Sequence, residues 1–331
     1  MPKLKIAVLG DGGWGTTLAV LLSKKGYAVT LWGAFPDYTK AMARTRFNPK
    51  FLPGVMIPHQ IEITSDIKNA VKDKEIIVLA VPSQYTRSVL RKIAGKFTKK
   101  SIFLSVTKGI EISSSKRISE IVQAELGQVK FAVLSGPTIA AEVAREIPTA
   151  AVVASTDRQI RKIIQEVFST KRFRVYTNPD VVGVELGGSL KNVIAIACGV
   201  SDGLGFGTNT KAAILTRGLA EIYRLGKAMG AKLKTFSGIS GLGDLVTTCI
   251  SRQSRNRSVG ELIGKGKNLK EICRHMQMVA EGVPTAKSAH ALSLKYKIDM
   301  PIIKEVYHLL YRHKSPSKAV SDLMSRKSKE E

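Results

Sequence analysis

Residues 6–22 read Ile6-Ala7-Val8-Leu9-Gly10-Asp11-Gly12-Gly13-Trp14-Gly15-Thr16-Thr17-Leu18-Ala19-Val20-Leu21-Leu22. A short β-branched apolar run stops at a cluster of glycines and resumes at Trp14, Leu18, Leu21 and Leu22, so the apolar period changes from a strand's to a helix's. The segment reads as strand, tight turn, helix. Gly10, Gly12 and Gly15 supply the pattern G-x-G-x-x-G in the one setting where it carries physical meaning. Gly10 permits the sharp turn, Gly12 lets a pyrophosphate approach the backbone, and Gly15 lets the helix lie close to the strand. The helix start then offers backbone N–H groups to an anion. A dinucleotide site is the functional reading. A glycine-rich turn without a ligand is the plain alternative.

The rest of the chain bounds the answer. Its 331 residues suggest about two domains, and 44% hydrophobic residues suffice for sizeable cores. The first strand begins within a few residues of the N-terminus, which argues against a signal peptide, and no apolar run is expected to reach the roughly 18 residues of a membrane span. The expectation is a soluble, cytoplasmic protein. Cys198, Cys249 and Cys273 stand far apart in apolar helical pattern and are expected to be buried thiols rather than disulfides or metal ligands. With 52 basic and 26 acidic residues the formal net charge is +26. Such a field attracts anions of any kind, nucleic acid and phosphorylated metabolites included. The basic residues are spread along the chain without aromatic interleaving, so a solvated basic surface is preferred over a nucleic-acid function.

Strands and helices alternate beyond the first unit. Ala28–Trp32 reads as a second strand, and its end, Gly33-Ala34-Phe35, carries neither the acid expected for an unmodified ribose nor the arginine expected for a 2′-phosphate. NAD and NADP are not separated by it. Residues 48–54, Asn48 to Gly54, read as a loop. Ile76–Val81 and Ile102–Val106 are continuous apolar runs of the kind buried on both faces of a parallel sheet. The second ends in Thr107-Lys108-Gly109, which sets Lys108 at the carboxyl edge where open α/β sheets bind ligands. Phe131–Leu134 runs into Ser135-Gly136-Pro137-Thr138, and strand-like segments follow at 150–154 and 173–176. This alternation predicts a Rossmann-type, doubly wound, mainly parallel sheet over residues 1–178. From 179 to 331 the helical period persists, which predicts an all-helical domain.

Lys191 lies inside an apolar helix, where an ammonium must be paired, have a lowered pKa, or snorkel to water. Gly187 and Gly188 weaken that helix by roughly 1 kcal/mol each and suggest a close approach to it. Asp244 opens a later helix, as a cap or as an orienting partner for a lysine. Ser254-Arg255-Asn256 precedes another helix start, a combination suited to phosphate.

Taken together, GDGGWG, NPKFLPG, SVTKGIE, LSGPT, RVYTNPDVVGVELGGSLKNVIAIACG, SGLGDLVTTC, SRN and VAEGV resemble, in order, the bacterial-type NAD(P)-dependent glycerol-3-phosphate dehydrogenases. The resemblance spans nearly the whole chain. It implies reduction of dihydroxyacetone phosphate to sn-glycerol 3-phosphate by NADH or NADPH, for glycerophospholipid synthesis, and a homodimer. It implies Lys191 as proton donor and acceptor, assisted by Asp244 and Lys108, with Asn192 and Thr248 as neighbours. Gly136, Thr138, Ser254, Arg255 and Asn256 would hold the substrate. Gly13, Trp14, Phe51, Lys108, Ala140, Arg255, Val279 and Glu281 fall at cofactor-contact positions. Two departures stand out: Gly13 replaces a common serine, and Ala34 and Phe35 stand where arginine or histidine often holds the adenosine end. The alternatives are a 3-hydroxyacyl-CoA or 6-phosphogluconate type of dehydrogenase and, from another class, a nucleic-acid binder.

Overall fold

The apolar runs become the middle of one eight-stranded sheet. A computed structural model describes residues 4–276, 278–328 and 330. The chain divides into two compact units, one of Met1–Lys108 with Lys116–Glu185, the other of Gly109–Ser115 with Leu186–Glu331.

The first unit runs β1 (Lys5–Leu9), α1 (Gly13–Lys24), β2 (Ala28–Trp32), α2 (Pro36–Thr45), β3 (Phe47–Asn48), β4 (Leu52–Met56), β5 (Glu62–Thr64), α3 (Ile67–Val71), β6 (Ile76–Leu79), α4 (Ser83–Ile93), β7 (Ile102–Ser105), α5 (Ile118–Leu126), β8 (Lys130–Ser135), α6 (Ala140–Ala144), β9 (Thr149–Ala154), α7 (Arg158–Phe168) and β10 (Phe173–Asn178). The order across the large sheet is β10-β9-β8-β7-β6-β1-β2-β5, and among the described residues β8–β9 is its one antiparallel pairing. Alternation along β1 shows why the strands are apolar throughout. Ile6 and Val8 join a cluster with Leu18, Leu22, Ile160 and Ile164, while Ala7 and Leu9 join another with Leu90, Ile93, Ile118 and Ile121. Both faces of the sheet are covered, and each fully buried Leu or Ile contributes roughly 1.5–3 kcal/mol. The carboxyl ends of β1, β6 and β7 therefore deliver their turns to one edge.

The loop expected at 48–54 is corrected by the structure. Phe47–Asn48 and Leu52–Met56 pair as a two-stranded antiparallel ribbon with a register shift. Pro53 and Gly54 mask it in sequence, yet both are tolerated in a ribbon with no second neighbour. β5, three residues at the sheet edge, was also not anticipated, being too short to show a period.

α8 (Val181–Gly203) begins in the first unit and continues into the second from Leu186. Its start is tied within the first unit by Glu185, which is 5% exposed and accepts from Arg117 Nη1 at 2.6 Å, Ser119 N at 2.7 Å and Ser119 Oγ at 2.6 Å. Burial raises the Glu185 pKa against these partners. The expectation that no run approaches spanning length is also corrected. α8 is long and apolar enough to cross a membrane by length and composition, but 83% of its apolar window is buried inside the protein, as in a core helix.

The second unit continues with α9 (Thr208–Ala228), α10 (Leu233–Phe236), a π-helical turn (Ile239–Gly243), α11 (Asp244–Ile250), α12 (Arg255–Gly264), α13 (Leu269–His275), α14 (Gly282–Lys295), α15 (Pro301–Tyr311) and α16 (Pro316–Met324). α8 and α12 cross backbone to backbone. A Cβ on Gly199 would lie 2.0 Å from Arg257 O and one on Gly203 2.3 Å from Glu261 O; reciprocally, Gly260 would meet Ile196 O at 2.0 Å and Gly264 Val200 O at 2.5 Å. Two glycines on each helix, four residues apart, share one face. No side-chain layer separates the helices there. Cys198 and Cys249 are buried, as expected, but Cys273 is exposed, because α13 buries only Ile272.

Candidate active site

At the glycine turn the three glycines of the motif differ in what surrounds them. Gly10 has φ +123°, and a Cβ on it would stand 2.7 Å from Ala80 O; one on Gly15 would stand 1.9 Å from Gly10 O. These two serve the turn and the packing of α1 on β1. A Cβ on Gly12 would meet nothing within 4 Å, so the space above it is open. α1 starts without a side-chain cap and without an acid in its first turn. Backbone N–H groups and the positive end of the helix face that space, the arrangement that accepts a pyrophosphate.

Gly13 is pressed under the Phe51 carbonyl, 2.5 Å from where its Cβ would be, with Ala140 Cβ at 3.7 Å. Three expected cofactor positions, Gly13, Phe51 and Ala140, thus lie side by side, and the closeness accounts for glycine at position 13. Trp14 points elsewhere. Its ring packs against the core, 6.2 Å from the Phe173 ring, and its Nε1 is buried with no hydrogen-bond partner among the described residues. Asn48, read in sequence only as a loop residue, is the hub of this corner. Its Nδ2 donates to Asp11 O at 2.7 Å and Thr16 Oγ1 at 2.8 Å, and its Oδ1 accepts from Tyr38 Oη at 2.6 Å and Phe51 N at 3.2 Å. No local pattern reveals a residue whose bonds run to positions 11 and 16.

At the ends of β7 and β8, Lys108 Nζ donates to Gly136 O at 2.7 Å and to Thr138 Oγ1 at 3.3 Å. Thr138 Oγ1 in turn donates to Gly136 O at 3.1 Å. The three substrate positions expected in the first unit form one group. Lys108 is part-buried, and its ammonium is held in place before any ligand arrives.

In the second unit the Lys191 ammonium is paired, which settles among the three readings of a lysine in an apolar helix. Lys191 is 5% exposed and Asp244 1%; Nζ forms an ion pair with Asp244 Oδ1 and donates to Thr248 Oγ1 at 2.6 Å. Thr248 Oγ1 donates to Asp244 O at 2.7 Å. Asp244 is the first residue of α11, following Gly243 at the N-cap position. The close approach inferred from Gly187 is present: its Cβ would lie 2.8 Å from Ser240 O in the π-helical turn that leads into Asp244. Glycine at 187 lets the segment carrying the carboxylate reach α8.

Asn192 and Asn256 are both buried and bonded to each other, Asn256 Nδ2 to Asn192 Oδ1 at 2.9 Å, and Asn256 Oδ1 accepts from Gly282 N at 2.8 Å. Gly282 was not singled out in sequence; its Cβ would strike Asn192 O at 2.5 Å. Ser254 caps α12, accepting from Arg257 N at 3.3 Å, and Arg255 Nη1 donates to Val279 O at 2.8 Å. Val279 is 42% exposed, and Glu281 acts electrostatically on Arg255. The residues expected in the second unit therefore form a connected set. A buried ammonium in contact with a carboxylate can give a proton to an oxygen, while the guanidinium at a helix start can grip an anion.

An open glycine turn on a parallel sheet and a buried, paired lysine in a helical unit define the class of nicotinamide-dependent dehydrogenases with a separate helical domain. The family model described as NAD-dependent glycerol-3-phosphate dehydrogenase N-terminus matches residues 5–161, and the one described as its C-terminus matches residues 180–321. The glycerol-3-phosphate dehydrogenase (NAD(P)+) of Prosthecochloris aestuarii is 52% identical over 329 residues, covering 98% of this chain and 99% of that protein. The crystal structure of glycerol-3-phosphate dehydrogenase from Coxiella burnetii matches with a TM-score of 0.95 at 40% identity, over 98% of this chain and 99% of that one. The structure of Plasmodium falciparum glycerol-3-phosphate dehydrogenase matches with a TM-score of 0.88 at 27% identity, over 99% of this chain and 97% of that one. This chain belongs to the NAD(P)-dependent glycerol-3-phosphate dehydrogenase family.

Proposed function

We propose that this chain reduces dihydroxyacetone phosphate to sn-glycerol 3-phosphate, reversibly, and that Lys191 is its general acid and base. The observation that carries the reading is the Lys191 ammonium held between Asp244 and Thr248 in a buried setting. Bound NADH or NADPH supplies the hydride. The Gly10 to Gly15 turn and the start of α1 hold its pyrophosphate, with Gly13, Trp14, Phe51 and Ala140 beside it and Lys108, Arg255, Val279 and Glu281 as the remaining contacts. As the carbonyl carbon is reduced, negative charge develops on its oxygen. Lys191 Nζ gives that oxygen a proton, and Asp244 keeps the lysine charged and aimed beforehand. Thr248 fixes the third direction of the ammonium. Arg255, with Ser254 and Asn256 at the start of α12, grips the phosphate, and Lys108, Gly136, Thr138 and Asn192 complete the substrate contacts. Fixing the phosphate converts binding energy into alignment of the carbonyl. In the reverse direction the lysine, having lost its proton, takes one from the alcohol.

The product is the backbone of glycerophospholipids, and we place the reaction in the cytoplasm, where reduced nicotinamide cofactor and the triose phosphate occur together. Purified protein mixed with dihydroxyacetone phosphate and reduced cofactor should consume nicotinamide absorbance. Lys191→Ala should lower kcat by about 10²–10⁴-fold, the range of a positioned acid–base group, with cofactor affinity unchanged. Full turnover in that variant removes Lys191 from the mechanism.

A further inference from the structure

The end of β2 lacks both groups that usually read the adenosine ribose, for Gly33, Ala34 and Phe35 are neither acidic nor basic. The structure supplies an acid there from another segment. Asp11, in the glycine turn, is 8% exposed, and a Cβ on Gly33 would stand 2.5 Å from Asp11 Oδ2 and 2.6 Å from Thr39 Oγ1. Position 33 is glycine because the Asp11 carboxyl fills that space. Asp11 Oδ2 is buried and has no hydrogen-bond partner among the described residues. Burial raises the Asp11 pKa; its own backbone N–H and the charge of Lys50 act the other way. The backbone of Asp11 is fixed as well, since its carbonyl accepts from Asn48 Nδ2 at 2.7 Å and Thr16 Oγ1 at 3.1 Å. A buried carboxylate oxygen without a partner costs stability, so its presence at the ligand-facing turn calls for a reason outside the fold.

We infer that Asp11 is the residue that selects the adenosine end of the cofactor: its carboxylate under Gly33 favours an unmodified ribose and repels a 2′-phosphate, so that the chain prefers NADH to NADPH. The inference rests on the cofactor reading above. Two features of this corner support the direction. A 2′-phosphate would carry its charge toward a carboxylate in a poorly solvated corner, where like charges repel more strongly than in water. The exposed Ala34 and Phe35 offer no cation in compensation.

The test is direct binding, with no second substrate present. The full chain is titrated with NADH and separately with NADPH, following nicotinamide fluorescence, and the titrations are repeated with Asp11→Asn and Asp11→Ala. The wild type is expected to bind NADH at least ~10-fold more tightly, and both variants should close most of that gap by strengthening NADPH binding. Asp11→Ala keeps the test open if the amide variant misfolds, because alanine is smaller than the group it replaces. Equal or tighter NADPH binding by the wild type overturns the inference, as does a ratio unchanged in both variants. Binding of neither nucleotide overturns it together with the cofactor reading. Selective NADH binding without reduction of dihydroxyacetone phosphate leaves Asp11 as the selector and removes only the substrate.

Discussion

The glycine turn of the first unit and the Lys191 cluster of the second meet charge in opposite ways. At the turn, side chains are withdrawn: Gly12 faces open space, and the start of α1 presents backbone dipoles to whatever anion enters. In the second unit a full charge is kept inside the protein, and its counter-charge comes from a segment more than fifty residues away, Asp244 meeting Lys191. The first arrangement costs little in the absence of ligand, since backbone N–H groups at a helix start can be hydrated. The second is a standing commitment. Removing one partner of a buried pair leaves the other uncompensated, and such losses run to several kcal/mol.

If the ammonium is the acid, Lys191→Ala should give the largest loss of all, about 10²–10⁴-fold in kcat, while the turn, which lies in the other unit, keeps its affinity for reduced cofactor. Asp244→Asn comes next. It should lower stability by about 3–5 kcal/mol, read from the denaturant midpoint, because Lys191 stays buried without its anion. Loss of the anion also disfavours the charged lysine, so the alkaline limb of the reduction rate should move to lower pH. An unmoved limb would mean that Asp244 does not act on the proton donor.

The turn is sharpened by two alanines. Gly15→Ala puts a methyl 1.9 Å from Gly10 O and should destabilise by about 3 kcal/mol or more. Gly12→Ala meets no protein atom within 4 Å at an ordinary φ of −63°, so its thermal midpoint should stay near the wild type while cofactor affinity falls. Equal loss of stability in both variants would show that the space at Gly12 belongs to the fold.

Glu221 gives the smallest and most conditional effect. It is 1% exposed, has no ion-pair partner among the described residues, and accepts from Ile302 N at 2.6 Å and Ile303 N at 3.1 Å; burial pushes its carboxyl up to about 7. With the folded pKa above the unfolded one, its contribution is fully present below the ordinary value of 4.5 and is lost as pH rises through about 7. The loss is at most about 3 kcal/mol. Glu221→Gln should flatten that slope in denaturant midpoints measured across the interval. An unchanged slope would place the titrating group elsewhere.

How much of this was legible in the sequence follows from the same contrast. The sheet could be read because strands buried on both faces leave unbroken apolar runs, and the glycine turn because its determinants sit within six consecutive residues. Lys191 stood out because an ammonium is costly inside an apolar helix. Asp244 could be read as a cap or as a partner for a lysine; that the lysine is Lys191, and that Thr248 joins them, came only through the family resemblance, since nothing local to either position points to α8. Asn48, Gly282 and the seat of Asp11 under Gly33 escaped for that reason. The β3–β4 ribbon escaped because its proline and glycine carry the signature of a loop.

The crossing of α8 and α12 through Gly199, Gly203, Gly260 and Gly264 carries a metrical consequence. With carbonyls seated where side chains would be, the two helices cannot slide without collision. One bears Lys191, proposed above as the proton donor, and the other bears Arg255, proposed as the anion grip, at its start. With those roles, the crossing would act as a ruler, setting how many bonds can separate a phosphate from a reducible carbonyl. A substrate one carbon longer would have to fold to fit, whereas any cofactor change leaves that length untouched.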